Sequence, residues 1–427
     1  MLEYDTRLVS WTCPKQCGYV LRIAGTIIEV SGFKGFIGEV CYIYGKSGML
    51  TTIVSGFNEN MILLTAVCSL TALSPGDLVY PTGLRHRIRV GYELLGRVIN
   101  SEGHPIDEKG PIKGKRRLVE NPPPPPLKRQ PITSVFETGI KVIDAFCTIG
   151  IGQKIGIFSE PGYGKSTLLA QISKSRTSDL NVIALIGERG REAQEFIEKL
   201  GEQRLKKSIL VLSTSDETPA SKILAANSAM SIAEYFRDLN LNVLLIMDSI
   251  SRYEQSLKEL AVSSGSQKNS TLFPSVNLSL AQLLERTGNT KKGSITGIFS
   301  ALSQEKTMEP NPFRVHSFLD GHIILSNPLE GLFDYPSVNI TNSLSRVMSS
   351  IISSSHLKDA EYLKTLLKIY LDSRDLIQLG AYHQGVNPLL DKAIKKLPSI
   401  QMFIKQSFND YYSFQEVVTE LQNLISS

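Results

Sequence analysis

Hydrophobic and polar positions divide the chain into three stretches that differ in spacing. Up to residue 92, short apolar runs are separated by glycine, asparagine and aspartate, and the clearest runs are 25–30, 38–43 and 61–64. Runs rich in valine, isoleucine and threonine at this spacing predict a small all-β barrel or sandwich. We expect this first domain, residues 1–92, to serve in oligomer contact or scaffolding, because its sequence contains no cluster of catalytic side chains.

In the second stretch, apolar runs alternate with amphipathic segments. The predicted strands are 154–158, 182–186, 209–213, 243–247, 295–299 and 322–326, and the predicted helices are about 165–176, 190–204, 219–239 and 274–286. Near-continuous apolar strands separated by crossover helices predict an α/β domain with a mostly parallel sheet, covered on both faces. We assign this domain to residues 93–346. Its first part, 93–153, is a connection that contains a strand ending near Asn100 and a stiff run of five prolines at 122–126.

After Arg346 the strand pattern ends and helical spacing replaces it. One predicted helix, 358–377, carries apolar side chains on one face at Ala360, Leu363, Leu366, Leu367 and Tyr370. This spacing predicts a helical C-terminal domain, residues 347–427, whose apolar face serves internal packing.

The strongest chemical signal follows the first predicted strand of the α/β domain. A strand, a turn with two glycines and a helix N-terminus form an anion cradle, in which backbone N–H groups and the helix dipole face the ligand. Lys165 is then placed to reach the β- and γ-phosphates of a nucleotide, and the Ser166 hydroxyl to bind Mg²⁺. The phosphate-loop pattern requires glycine at position 159, where this chain has serine. The predicted phosphate-binding residues are Glu160, Pro161, Gly162, Tyr163, Gly164, Lys165, Ser166 and Thr167.

Two carboxylates follow other strands of the same sheet. Glu188 comes just after strand 182–186, and Asp248 ends strand 243–247. The first can align a water molecule for attack on a γ-phosphate, and the second can hold the Mg²⁺ water shell. Each residue alone could equally be a helix cap or an ion-pair partner. Because parallel strands end at one edge of a sheet, the three features together favour a nucleotide-hydrolysing site.

Composition limits the remaining classes of function. The chain has 427 residues, 46 basic and 41 acidic, with a formal net charge of +5, which gives no electrostatic case for nucleic acid as the main partner. The number of cysteines is odd, and Cys13 and Cys17 have metal-like spacing without a second pair nearby, so ordinary reduced thiols are expected. Neither a signal peptide nor an apolar run of membrane-spanning length is evident, which favours a cytosolic protein.

Several further motifs make the resemblance to a known family specific. The chain resembles type III secretion ATPases, of the flagellar-export or injectisome kind, within the larger family of rotary ATP synthase catalytic subunits. The stretches that carry this resemblance are 131–133, 138–144, 152–158, 187–192, 247–249, 284–289, 319–323, 335–339, 343–346 and 380–382. The resemblance covers residues 24 to 395 and implies a RecA-like core that binds ATP and Mg²⁺.

The resemblance also implies a role for individual residues. Glu188 would be the general base, and Arg189 would lie near the γ-phosphate. Asp248 would be the carboxylate on the Mg²⁺ side, with Arg252 close to it. Arg346 matches the arginine finger that reaches into the site of a neighbouring subunit. The aromatic side chains that would stack on adenine are Tyr335 and Tyr382.

A finger supplied by a neighbour requires a ring, so the resemblance implies a homohexamer that hydrolyses ATP to energise protein export, including release and unfolding of substrates and chaperones. The implied partners are stalk and stator or regulatory proteins, the export gate, secretion chaperones and their substrates, with no nucleic acid. The implied location is the cytoplasm, peripheral to the cytoplasmic face of the bacterial inner membrane.

The chain departs from the family at several positions. Besides Ser159, it has His316 where the family carries arginine, and Ser326-Asn327 where the family has Leu-Ser-Arg. Residues 271–277 stand where family members usually have Gly-Tyr-Pro-Pro-Ser-Val-Phe, and the loop before them, 263–270, is polar and atypical. These departures leave open a ring subunit that binds nucleotide without hydrolysis. A hexameric RNA translocase is a further alternative, but the first 92 residues show no basic and aromatic cluster for RNA.

Overall fold

The computed structural model describes residues 17–46, 48–58, 61–68, 73–263, 274–302, 314–326 and 335–426. Cys13, the segment 264–273 and Asn327, on which some sequence predictions fall, lie outside these residues. The strands are β1 (Gly18–Ala24), β2 (Ile27–Ser31), β3 (Glu39–Gly45), β4 (Gly48–Asn58), β5 (Met61–Ala66), β6 (Leu78–Arg85), β7 (Arg87–Val90), β8 (Val98–Asn100), β9 (Lys115–Leu118), β10 (Val135–Phe136), β11 (Ile149–Gly150), β12 (Lys154–Ser159), β13 (Leu180–Glu188), β14 (Ser208–Thr214), β15 (Asn242–Asp248), β16 (Gly288–Asn289), β17 (Ser294–Leu302), β18 (Gly321–Ile324) and β19 (Leu344–Ser345). The helices are α1 (Lys141–Phe146), α2 (Lys165–Ile172), α3 (Gly190–Leu205), α4 (Pro219–Arg237), α5 (Ile250–Ser263), α6 (Pro274–Leu284), α7 (Arg314–Ser317), α8 (Met348–Ile351), α9 (Ser354–Asp372), α10 (Arg374–Gln378), α11 (Pro388–Ile404) and α12 (Phe414–Ser426).

The first six strands form a closed antiparallel barrel in the order β1-β2-β5-β4-β3-β6. The barrel closes through β1 and β6, where Gly18 pairs with Val79. Alternate residues of the strands fill its interior, among them Val20, Ile28, Val30, Ile43, Leu64 and Val79. Because closure leaves no exposed sheet edge, a barrel is a stable solution for a short all-β domain. Of the two predicted arrangements, barrel and sandwich, the barrel is confirmed.

The central sheet is built mainly from parallel strands, in the order β19-β18-β12-β17-β15-β13-β14-β8, with β16 paired to β17. The register places Ile155 of β12 beside Ile298 of β17, and Ile183 of β13 beside Ile246 of β15. The two short strands β16 and β19 are the antiparallel members. The predicted parallel sheet is therefore confirmed.

Both faces of this sheet are buried, which explains the near-continuous apolar runs in its strands. Ile183 and Leu185 of β13 pack into the cluster that contains α1, α2 and α3. Their neighbours Val182 and Ala184 pack into a second cluster, formed with α4, α5 and α6. Since successive side chains of a strand point to opposite faces, an unbroken apolar strand requires a helical layer on each side.

The structure differs from the predicted α/β domain in one added helix, in the placement of one predicted strand and in the length of one predicted helix. Helix α5 follows β15 directly and was not predicted, although Ile250, Tyr253, Leu257, Leu260 and Ala261 have the spacing of one helical face. The strand predicted to end near Asn100 is β8, which extends the parallel sheet beyond β14. Helix α2 ends at Ile172 rather than at residue 176.

The C-terminal region is helical, as predicted. The predicted helix 358–377 is two helices, α9 and α10, separated at Ser373, and α9 begins four residues earlier because the Ser353 side chain caps it by accepting a hydrogen bond from the His356 N–H. Ala360, Leu363, Leu366 and Leu367 are buried and Tyr370 is partly buried in a cluster continuous with the core beside α1 and α2. None of the helices in the described ranges is both long enough and apolar enough to span a membrane.

Two cysteines lie in these cores. Burial raises the pKa of the Cys41 thiol to about 12 and that of the Cys147 thiol to about 11. Both side chains are therefore protonated at neutral pH, which fits the prediction of ordinary thiols.

Candidate nucleotide-binding site

The phosphate loop connects β12 to α2. Gly162 and Gly164 have φ angles of 90° and 82°, a left-handed conformation that residues with a Cβ rarely adopt. Gly164 also caps α2, and its carbonyl oxygen accepts the hydrogen bond from the Leu168 N–H (2.9 Å). The first N–H groups of α2 have no partner within a helix and remain available to an anion. The predicted strand, turn and helix are therefore present.

Ser159, the departure from the phosphate-loop pattern, is the last residue of β12 and lies beside Leu302 of β17. It is not among the residues with positive φ, so this backbone position accepts a residue other than glycine. Its hydroxyl oxygen is buried without a hydrogen-bond partner in the described part of the chain. The substitution changes the polarity behind the loop and leaves the loop path intact.

Lys165 meets both predicted carboxylates at the carboxyl edge of the sheet. Its ammonium nitrogen lies 2.7 Å from Asp248 Oδ1 and 3.8 Å from Glu188 Oε1. Asp248 also accepts a hydrogen bond from the Ser300 hydroxyl (2.5 Å) on β17. Ser300 was not predicted, since a serine inside a strand gives no signal of its own. The carboxyl ends of β13 and β15 therefore meet the lysine that follows β12, as expected for strands that end at one edge of a parallel sheet.

The environment of Glu188 changes its acidity. Burial, and next the negative charge of Asp248, raise the pKa of Glu188 to about 7, and a hydrogen bond with Glu192 acts in the same direction while Lys165 opposes it. A carboxyl group with a pKa near the working pH can both accept and release a proton, as a general base must. The donor set of Ser166 and Asp248 consists of hard oxygen ligands, which suit Mg²⁺.

The predicted arginines occupy three different positions. Arg252 of α5 packs against Gly187, where an added Cβ would lie 3.0 Å from the Arg252 Cβ and Cγ, so the arginine sits directly behind the turn that carries Glu188. Arg189 caps α3 and is 82% exposed, with its Nε 3.9 Å from Glu192. Arg346 follows β19 at the end of the sheet and is exposed. The structure thus places Arg252 against Gly187, the residue before Glu188, while Arg346 lies at the far side of β18.

Tyr335 lies beside the phosphate loop. Because 170 positions separate it from Lys165 in the sequence, only long-range folding brings the two residues together. Its ring is 3.9 Å from the point where a Cβ on Gly164 would lie. Its hydroxyl donates a hydrogen bond to Gln171 Oε1 of α2 (2.6 Å), and its carbonyl oxygen accepts one from the Gln406 N–H (3.2 Å). Gln171 was not predicted as a site residue, because a glutamine inside a helix carries no recognisable pattern.

Tyr163 of the phosphate loop and Tyr382, the second predicted adenine-stacking residue, both form hydrogen bonds through their side chains. Tyr163 donates its hydroxyl hydrogen to Glu160 Oε2 (2.7 Å), and its carbonyl oxygen accepts from the Ser337 hydroxyl (2.8 Å). The hydroxyl of Tyr382 donates a hydrogen bond to Asp391 Oδ1 (2.8 Å) within the C-terminal region. These contacts hold Tyr382 in its own segment, and stacking of its ring on adenine stays a prediction.

His316 replaces the arginine of the family pattern and has a packing role. Its ring stacks on Phe158 of β12 with centroids 3.7 Å apart, and its edge meets His322 of β18. Burial and the neighbouring His322 lower the pKa of His316 to about 4. At neutral pH the ring is therefore uncharged and serves as an aromatic surface next to the loop.

Two motifs of the resemblance have structural roles. Asp144 is buried and accepts hydrogen bonds from the Thr138 and Gly139 N–H groups (3.0 Å each), which holds the turn before α1. Arg286 is buried and its Nε donates to Glu234 Oε1 of α4 (2.7 Å). Both side chains stabilise the frame that positions the site without contacting it.

The combination of this loop, its lysine and two carboxylates at adjacent strand ends is the geometry of a P-loop nucleoside triphosphatase. Comparisons with known proteins refine the class. Residues 139–345 match the model of the ATP synthase alpha/beta family, nucleotide-binding domain, and residues 352–423 match the T3SS EscN ATPase C-terminal domain.

Full-length relatives agree with these matches. The chain is 42% identical over 417 residues to the flagellum-specific ATP synthase of Bacillus subtilis, covering 96% of this chain and 95% of that protein. It is 37% identical over 428 residues to the type 3 secretion system ATPase of Sinorhizobium fredii, covering 99% and 93%. Among solved structures, the assembled ATPase EscN in complex with its central stalk EscO, from enteropathogenic E. coli, matches with a TM-score of 0.87 at 39% identity, covering 96% of this chain and 100% of that one.

The chain therefore belongs to the ATP synthase alpha/beta family, in the branch of flagellum-specific and type 3 secretion ATPases, and it is an ATPase. The predicted family, fold class and enzymatic activity are confirmed.

Proposed function

We propose that this chain hydrolyses ATP in a homohexameric ring that energises protein export through a flagellar or type III secretion apparatus. The observation that carries the proposal is the convergence of Lys165 with Glu188 and Asp248 at the N-terminus of α2. Before nucleotide binds, the single ammonium group of Lys165 lies within ion-pair distance of both carboxyl groups. A bound triphosphate would compete for the same ammonium group, because phosphate oxygens carry more charge than one carboxylate.

The phosphates of ATP would lie against the N–H groups at the start of α2, with Lys165 on the β- and γ-phosphates. Ser166 and Asp248 would hold Mg²⁺, which neutralises charge on the β- and γ-phosphate oxygens during transfer. Ser300 positions Asp248 through the 2.5 Å hydrogen bond. The adenine would stack on Tyr335, whose ring flanks the loop, and Tyr382 is a second candidate.

Glu188 would orient a water molecule in line with the bond between the γ-phosphorus and the bridging oxygen. As the water oxygen bonds to phosphorus, that P–O bond breaks, ADP leaves, and the proton of the water passes to Glu188. The raised pKa of Glu188 supports this assignment, since the carboxylate gains affinity for the proton it receives. Two arginines are candidates to contact the γ-phosphate. Arg252 packs against Gly187, the residue before Glu188, and Arg189 is exposed.

The completed site would include Arg346 from a neighbouring subunit. This arginine follows the edge strand β19 and is exposed, and in the described residues its side chain joins no ion pair. An edge position suits contact with another subunit. The barrel, residues 1–92, would join the ring contacts, while 93–346 and 347–427 would form the catalytic and helical domains.

The proposed partners follow from the family. A central stalk protein, stator or regulatory proteins, the export gate, and secretion chaperones with their substrates would contact the ring. We place the ring in the cytoplasm at the inner face of the membrane, held there by these proteins. Nucleic acid is not among the proposed partners, given the formal net charge of +5 on 427 residues.

The first experiment measures Mg²⁺-dependent ATP hydrolysis for the wild type and Glu188→Gln, with Glu195→Gln as the control, an exposed glutamate on α3 that pairs with Arg191. Loss of the base should reduce kcat on the order of 10²-fold or more. The control should keep the wild-type rate. A Glu188→Gln variant as active as the control would overturn the assignment of the base.

The shared site is tested by mixing two inactive variants. Arg346→Ala retains Glu188, and Glu188→Gln retains Arg346, so a mixed ring contains sites in which both intact groups meet. We expect activity to reappear on mixing and the wild-type rate per subunit to rise with protein concentration. If two variants that are inactive alone and assemble normally stay inactive together, Arg346 does not act across the interface.

A further inference from the structure

A groove of about 420 Å³ lies between the barrel and the ribbon of strands β7 and β9, and its lining residues do not include the phosphate loop. One wall consists of the barrel strands β3, β4 and β6. The opposite wall is the two-stranded ribbon of β7 and β9, together with the turn at 102–104. The two walls have different chemistry, and this difference identifies the kind of ligand that fits.

The ribbon wall is cationic. Arg89 of β7 lies directly opposite Arg116 of β9 in the antiparallel register, and Arg87 is on the same face two residues away. All three side chains are exposed, while the alternate residues Ile88 and Val90 are buried. Like charges directly across a strand pair destabilise it. A strand pair lacks the large dipole of a helix, so nothing in the ribbon backbone compensates for these charges.

Arg117, the neighbour of Arg116, provides a contrast because it forms ion pairs within the chain. Arg117 is on the other face of the ribbon, where its Nη2 lies 2.8 Å from Asp238 and 3.7 Å from Glu234. In the described ranges, no acidic side chain is within ion-pair distance of Arg87, Arg89 or Arg116. Glu102 is the carboxylate in the groove lining, so the local charge remains strongly positive.

The barrel wall is partly apolar. Met49 and Leu84 line the groove and are 54% and 49% exposed, and the half-buried Tyr42 lies between their strands on β3. Methionine, tyrosine and arginine are enriched in protein interfaces relative to the rest of the protein surface. His86 also lines the groove, and its Nε2 atom is buried without a hydrogen-bond partner among the described residues.

We propose that this groove binds a protein segment that has acidic residues on one side and apolar residues on the other. Carboxylates of the segment would pair with Arg87, Arg89 and Arg116, because the guanidinium fork matches a carboxylate in two hydrogen bonds. Its apolar side chains would cover Met49 and Leu84. A polyphosphate or nucleic acid backbone would satisfy the arginines but gain nothing from the apolar wall, so a protein segment is the better match.

The test uses the full chain and a fluorescein-labelled 16-residue peptide of glutamate, alanine and leucine, with the leucines on one helical face. A second peptide has the same composition in scrambled order, and inorganic polyphosphate serves as the competing polyanion. Binding is measured by fluorescence anisotropy at physiological salt, since exposed charges more than about 8 Å apart are screened there.

Arg89→Gln/Arg116→Gln should weaken binding of the ordered peptide on the order of tenfold or more, the cost of losing charge-assisted hydrogen bonds. The control Lys206→Gln/Lys258→Gln removes two charges from exposed helical pairs elsewhere and should leave binding unchanged. Leu84→Ser should weaken the ordered peptide several-fold and leave polyphosphate binding unaltered. ATP hydrolysis should stay at the wild-type rate in all variants, which also shows that they fold.

Two results would overturn the proposal. The first is equal affinity for the ordered and scrambled peptides in the wild type, because the apolar wall would then contribute nothing. The second is tighter binding of polyphosphate than of the ordered peptide, lost in the arginine variant and kept in Leu84→Ser, which would assign the groove to a phosphate polymer. Neither outcome depends on the roles proposed for the nucleotide site.

Discussion

The hydrogen bond between Tyr335 and Gln171 gives a test of the adenine site that does not involve catalytic groups. The tyrosine hydroxyl and the glutamine oxygen are 2.6 Å apart, and the Tyr335 ring lies beside the phosphate loop. If Tyr335 stacks on adenine, Gln171 fixes the ring in the required orientation. Tyr335→Phe removes only the hydroxyl group, and Gln171→Leu removes its partner while keeping a similar volume.

The expected size of the effect follows from the bond. A neutral hydrogen bond contributes about 0.5–1.5 kcal/mol net, which corresponds to roughly a two- to tenfold rise in KM for ATP. The double variant should cost no more than either single variant, since both substitutions break the same bond. The value of kcat should change little, because Glu188, Lys165 and Asp248 are untouched.

The assay is steady-state ATP hydrolysis over a range of ATP concentrations, with thermal unfolding as a second measurement. Gln171 Nε2 also lies 3.4 Å from the carbonyl oxygens of Ser407 and Asp410, so Gln171→Leu should lower Tm more than Tyr335→Phe does. A fall in kcat at constant KM, or effects of the two substitutions that add in full, would refute the positioning role.

Three further predictions concern the site and its frame. Because the pKa of Glu188 is raised to about 7 and the base must be ionised, kcat/KM should rise with pH through that region and level off above it; a flat profile between pH 5.5 and 8 would contradict this. Ser300→Ala should lower activity about tenfold and raise the Mg²⁺ concentration needed, because Asp248 loses a charge-assisted bond, whereas normal Mg²⁺ dependence would exclude the role of Ser300. Arg286→Met leaves Glu234 buried without its main partner and should destabilise the fold by about 3–5 kcal/mol in urea unfolding; a cost below 1 kcal/mol would show that the pair is dispensable.

Much of the site could be predicted because its determinants are local in sequence. The phosphate loop needs a strand, two glycines and a helix start in about fifteen residues, and that order alone places Lys165 and Ser166. Glu188 and Asp248 were predictable because each directly follows an apolar run, and parallel strands end at a common edge. The domain order followed from the change of spacing along the chain.

Other features depended on which side chains meet after folding. Tyr335 and Gln171 are 164 positions apart, and no spacing rule links a tyrosine in a loop to a glutamine in a helix. Ser300 reaches Asp248 only because β15 and β17 are neighbours in the sheet. Helix α5 is a different case, because Ile250, Tyr253, Leu257 and Leu260 have helical spacing and would have predicted it from the sequence.

The sequence by itself determined the order of the three domains, the phosphate-binding chemistry and the carboxylates at the strand ends, since these depend on patterns that are local in the sequence. Only the tertiary structure decided the acidity of Glu188 and the contrast between Arg117, which is paired, and Arg116, which has no acidic partner among the described residues. Acidity depends on burial and on charges brought close by distant strands. Pairing depends on which face of a ribbon meets the acidic side of α4, and adjacent residues in a strand point to opposite faces.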